Sequence, residues 1–160
     1  MKIKVVGMAD IVSEARFAEV LAYIQTHNLP KLEQALSEGF PTGYRSKELV
    51  DWTLLERACA SRSVGALKIL LRHNVDVNAV DKKGDSALHL ACRFGFYDCV
   101  RLLLDAGADW TLKNKKGKTP LESTSDVIFA GKVDTYIKYC VGKKDVIKND
   151  KKSPVYEYEL

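Results

Sequence analysis

Histidine is scarce in this 160-residue chain: His27, His73 and His89 are its only imidazoles. No Cys-x-x-Cys pair or Cys/His cluster joins them, which leaves no spacing suited to zinc. Ten glycines are scattered along the chain and none builds a phosphate-cradling loop. A nucleophile with a base, a metal constellation and a nucleotide loop are the usual starting points of an enzyme site, so the expectation is no catalysis, no cofactor and no metal. Apolar runs long enough to span a bilayer are also missing. The first ten residues carry two lysines and a brief apolar patch, but acidic residues follow at once, and no secretory signal is expected. Net charge is +4 and the isoelectric point about 8.8, modest beside strongly basic nucleic-acid-binding domains. Nucleic acid is therefore not the expected partner.

What the chain does have is apolar side chains, 46% of its residues, arranged with helical spacing. Residues 81–113 accommodate two short amphipathic helices, over 86–93 and 98–105, separated by Gly95 and closed by Gly107. Neither could bury its apolar face alone, so copies stacked on either side are required. A step of 33 residues forward takes Asp81 to Asn114, Gly84 to Gly117, Ser86 to Thr119 and Leu88 to Leu121. The same step back takes Leu88 to Leu55, Ala91 to Ala58, Cys92 to Cys59, Leu103 to Leu70, Leu104 to Leu71 and Asp109 to Asp76.

This 33-residue period, with the Gly-x-Thr-Pro-Leu run ending at Leu121 and the Ser-Ala-Leu-His-Leu-Ala run from Ser86 to Ala91, resembles the ankyrin repeat. The resemblance implies an all-α solenoid of about four stacked helix-turn-helix repeats joined by β-turn loops. The expected organisation is an N-terminal extension over 1–12, repeats over about 13–47, 48–80, 81–113 and 114–141, and a polar tail over 142–160. Repeat one places Phe17, Val20, Leu21 and Ile24 on one helical stripe and reads as a cap; repeat four degenerates after Leu121, with its second helix expected over 132–140. Ile3, Val5 and Val6 alternate loosely, as a strand would. Asp51 and Asn74 stand where other repeats have glycine, and both tolerate a left-handed backbone, whereas Arg62 opposite Gly95 does not fit that explanation. Cys59 and Cys92 occupy one repeat position and read as small buried apolar groups in a reducing compartment.

In the family, the β-turn tips and the exposed side of the first helices form a concave face that binds macromolecules. Carried over position by position, the tips are Leu49, Val50 and Trp52, then Lys82, Lys83 and Asp85, then Lys115, Lys116 and Lys118; Arg93 and Phe94 face the same groove, with Phe96 extending it. The face runs from apolar to basic. Trp52 and Val50 have the alternative of packing on repeat one, and the lysines that of a solvated edge. The resemblance gives His89 a structural role, bridging backbone of adjacent turns together with Ser86.

The function expected on these grounds is a non-catalytic adaptor or scaffold that binds a protein with an acidic segment, as a monomer away from its partner, in the cytoplasm or the nucleus. The alternative is an inhibitor or host-directed effector capping an enzyme with the same face, since ankyrin proteins also occur in viruses and host-associated bacteria. Three side chains are candidate modification sites: Asn78, because Leu70, Asp76, Val77 and Asn78 resemble a sequence that an asparaginyl hydroxylase modifies in ankyrin repeats, and Tyr156 and Tyr158 in the acidic-aromatic tail.

Overall fold

The computed structural model describes residues 8–44 and 52–149, with side chains over 14–44 and 52–143. Seven α-helices succeed one another among these: α1 (Met8–Gln25), α2 (Leu29–Ser37), α3 (Leu54–Ala60), α4 (Val64–Arg72), α5 (Ala87–Phe94), α6 (Tyr97–Asp105) and α7 (Val127–Asn149). A single 3-10 turn, Leu121–Ser123, stands where repeat four would have its first helix. The chain is an all-α solenoid. None of the described helices is long and apolar enough to cross a membrane.

The helices form two layers. α1, α3 and α5 pack in succession on one side, α2, α4, α6 and α7 on the other, and each pair is joined by a tight turn. Leu54, Leu55, Leu67, Leu70, Leu88 and Leu103 are buried between the layers, together with Phe17, Ile24, Val133 and Ile137 from the terminal units. Each such side chain contributes roughly 1.5–3 kcal/mol by leaving water, and because the partners lie in the next repeat the stability is shared along the stack. The stripe foreseen in repeat one, Phe17, Val20, Leu21 and Ile24, is buried throughout.

Helix starts are written locally. Thr53 and Glu56, Ser86 and His89, and Thr119 and Glu122 each form a reciprocal cap between a hydroxyl and the backbone three residues on. At the turn after the first helix, Gly95 takes φ 70°, and Arg62 takes φ 50° at the equivalent place in repeat two. Arg62 thus adopts the left-handed conformation in spite of its side chain; its guanidinium lies 5.5 Å from the Phe96 ring centre, a cation–π contact that offsets part of the strain. Asn74 sits at φ 55°, as its chemistry allows. Asp51, Leu49, Val50, Ile3, Val5, Val6, Tyr156 and Tyr158 lie outside the described residues.

Both ends differ from expectation. α1 begins at Met8, inside the stretch assigned to an extension. α7 begins at Val127 rather than near Lys132 and runs through Gly142 to Asn149, so the first part of the assigned polar tail is helical. Phe129, Val133 and Ile137 anchor α7 to the core, and once a helix is nucleated each further residue adds a backbone bond, which carries it across the lysine-rich stretch.

Candidate partner-binding face

The tips are built by one buried polar residue each. Asp81 Oδ1 accepts the N–H groups of Lys83 (2.8 Å) and Asp85 (2.9 Å), and its own N–H donates to the Asp85 carbonyl at 2.9 Å. Asn114 repeats the device with the N–H groups of Lys116 (3.0 Å) and Lys118 (3.1 Å), and donates its own N–H to the Lys118 carbonyl at 2.9 Å. Gly84 closes the first tip at φ 76°, where an added Cβ would come to 3.0 Å from the Lys115 nitrogen. That closeness is used: the Lys115 N–H donates to the Lys83 carbonyl at 3.0 Å, joining one tip to the next.

His89 ties the same two units from below. Its Nε2–H donates to the Lys118 carbonyl at 3.0 Å, while Nδ1 accepts the Ser86 N–H at 3.1 Å, which fixes the neutral Nε2–H tautomer. Burial holds its pKa below the ordinary imidazole value, against the opposing pull of the Lys118 carbonyl and Asp85. His89 is therefore structural, bridging backbone with Ser86 as the resemblance implied. His27 meets Ser63 at 3.0 Å and His73 meets Glu33 at 3.0 Å, each in its own place.

Asp85 corrects the sequence reading. Assigned to the contact tip, it is only 2% exposed, and its carboxylate accepts from Arg93 Nη2 at 2.7 Å and from Asn114 Nδ2 at 2.7 Å. Burial alone would raise its pKa, but the Arg93 and Asn114 hydrogen bonds hold it below the usual value. Its charge positions Arg93 rather than facing a partner. Asn114 was not singled out from sequence, although its register with Asp81 was the available signal.

The structure brings Lys83, Arg93, Lys116 and Lys118 together around a cleft of about 270 Å³, with Asp85, Asn114 and Ser123 completing its walls. Lys82 and Lys115 are exposed on the same two tips but do not line it. Phe94, adjacent to Arg93, is 46% exposed and stacks on Phe96 with centroids 5.7 Å apart. Phe96 is half-buried against the core. Trp52 is also half-buried and lies 5.8 Å from the Arg57 guanidinium, apart from the cationic cleft. Val127 and Ile128, at the start of α7, are 84% and 75% exposed and were not foreseen, because the helix was expected to begin later. Asn78 is exposed, and its Oδ1 accepts the Asp109 N–H of the next unit at 2.8 Å.

The chain has relatives among known proteins. A family profile described as "Ankyrin repeats (3 copies)" matches residues 21–114. An ankyrin-repeat protein of Acanthamoeba polyphaga mimivirus is 33% identical over 108 residues, 66% of this chain and 14% of the relative. "Ankyrin repeat and SOCS box protein 11" of Danio rerio is 43% identical over 74 residues, 46% of this chain and 25% of the relative. The crystal structure of the ankyrin repeat domain of Bcl-3, described as a member of the IkappaB protein family, superposes with a TM-score of 0.66 at 28% identity, covering 70% of this chain and 49% of that one. The chain thus spans a quarter or less of the length of those two sequence relatives. Repeats of this kind generally serve as protein–protein interaction modules. On its period, its tips and these matches, the chain belongs to the ankyrin-repeat family.

Proposed function

We propose that the protein is a non-catalytic adaptor that binds an acidic partner protein along its tips and the adjoining ends of its first helices. The observation that carries this reading is Phe94, which is 46% exposed, stacks on Phe96 and follows Arg93 of the cationic cleft in sequence. An aromatic ring kept in water next to fixed cations supplies an apolar anchor and a charged rim, the two parts of a protein interface. Trp52 adds a second anchor from repeat two, and Lys82, Lys83, Lys115, Lys116 and Lys118 give the long-range attraction. A rigid stack loses little entropy on docking, which favours affinity from a small contact. Cys59, Cys92 and Cys99 are buried free thiols, in keeping with a reducing compartment such as the cytoplasm.

The test is affinity capture with mass spectrometry, comparing the wild type with a variant carrying Trp52→Ala, Phe94→Ala and Lys83→Glu, after circular dichroism shows both folded. A partner held by the wild type and released by the variant supports the reading. A partner held equally by both removes it, and moves the contact to the outer helices or to α7.

A further inference from the structure

The cleft between the third and fourth tips carries more charge than a solvated edge requires. Four cationic side chains, Lys83, Arg93, Lys116 and Lys118, face one carboxylate, Asp85, and that carboxylate is already engaged by Arg93 and Asn114. None of the three ammonium groups forms an ion pair among the described residues, while Arg93 commits one N–H to Asp85 and keeps the rest of its fork for a ligand. The nearby Glu122 carboxylate is occupied by the Thr119 N–H at 2.8 Å. The Arg93 side chain is 39% exposed, at the end of α5, and repeat four has the 3-10 turn Leu121–Ser123 where a first helix would stand. The same junction one repeat earlier has no such chemistry, since the register places Trp52 at the position of Asp85, Ala60 at that of Arg93 and Asp85 at that of Lys118.

The geometry points to a receptor for a phosphorylated side chain on the partner's acidic segment. This inference rests on the concave-face reading above and narrows it to a ligand chemistry. A lone carboxylate would leave most of the cleft's positive charge uncompensated, whereas a phosphate dianion accepts the Arg93 fork and two or three ammonium groups at once. A cleft of about 270 Å³ admits one such group, while a nucleic acid strand needs a cationic track along its length. The partner residue is therefore a phosphoserine or phosphothreonine, seated with its oxygens between Arg93 and Lys118 and its backbone running toward Phe94.

The test uses the full chain, labelled with 15N, and three blocked amino acids as probes: N-acetyl phosphoserine amide and its glutamate and serine counterparts. At low ionic strength the phosphoserine probe should give saturable shifts at Lys83, Arg93, Lys116 and Lys118, about tenfold tighter than glutamate, with serine inactive. The pair Lys116→Gln and Lys118→Gln, whose exposed side chains form no hydrogen bond or ion pair among the described residues, should weaken it by about tenfold and leave the circular dichroism spectrum unchanged. Equal affinity for glutamate, or shifts that fail to saturate, would overturn the phosphate assignment. So would tighter binding of a short oligothymidylate with shifts spreading to Lys82 and Lys115, which would make the cleft part of a nucleic-acid track. Trp52 and Phe94 do not line the cleft, so capture repeated with Trp52→Ala and Phe94→Ala alone, without Lys83→Glu, decides the concave-face reading independently of this result.

Discussion

The imidazole Nε2 of His89 lies 3.0 Å from the carbonyl oxygen of Lys118, a bond from the body of repeat three to the tip of repeat four. Removing it by His89→Ala takes from the Ser86 N–H its acceptor, leaves the Lys118 carbonyl with the Asn114 N–H alone, and opens a cavity. The expected cost is about 2–4 kcal/mol, read from urea denaturation. His89→Gln, which can replace one of the two bonds, should cost less.

The same side chain makes stability depend on acid. Its folded pKa is lowered from 6.5, so the unfolded chain binds a proton more readily than the folded one. The contribution is complete above about pH 6.5 and is lost as pH falls from there through the folded value. Thermal melts between about pH 8 and pH 5 should show the midpoint falling below pH 6.5. In His89→Gln that part of the fall should be missing. Loss linked to Asp85, whose pKa is also lowered, begins only in the carboxylate range.

Arg93→Ala leaves the Asp85 carboxylate buried with only Asn114 to meet it. Partial exposure of Arg93 limits the effect, and a loss of about 1–3 kcal/mol is expected by chemical denaturation. Adding Asp85→Asn to that variant should restore part of the stability, because the uncompensated charge is then gone. An additive double mutant would mean that the two side chains are not coupled.

Arg62→Gly tests the left-handed turn. Relief at φ 50° is worth about 1 kcal/mol and loss of the contact with Phe96 about 0.5 kcal/mol, so a small net gain is expected in urea midpoint. Gly84→Ala should go the other way by at least about 1 kcal/mol, through its φ of 76° and the approach of Lys115.

Thiol reactivity separates core from surface. Cys59, Cys92 and Cys99 are buried, and burial pushes the Cys92 thiol up to about 12, while Cys140 is partly exposed. A disulfide reagent at pH 8 should react with Cys140 first and with the other three only as the chain unfolds. Fast reaction of more than one thiol in the native protein would contradict the packing of α3, α5 and α6.

Much of this architecture was legible because its causes recur every 33 residues: Leu88 and His89 announce the same local environment that Leu55 and Leu121 do. Asp85 was misread for a physical reason. Its neighbours in sequence are tip residues, but its burial is decided by Asn114, 29 residues later, and by Arg93 one helix away. The reach of α7 was missed because its lysines and Gly142 look like tail, and the decision is made by Phe129, Val133 and Ile137, which give the helix a foundation. Val127 and Ile128 were missed with it. The sequence set Arg93 and the lysine tips on one groove; that Lys83, Arg93, Lys116 and Lys118 line a single cleft follows from the Asp85 carboxylate, which binds both Arg93 and Asn114, a contact between residues 29 apart.

The bond from the Lys115 N–H to the Lys83 carbonyl makes the two tips a ruler of fixed pitch. Loops joined only through their helices could splay to accommodate partners of different spacing; these are tied edge to edge by a main-chain bond. Under the proposed function, selectivity would then reside in interval as well as charge. A partner with the right acidic groups one residue out of step would meet the first tip and overshoot the second, and lengthening its linker by a single glycine should cost it as much as deleting one of its charges.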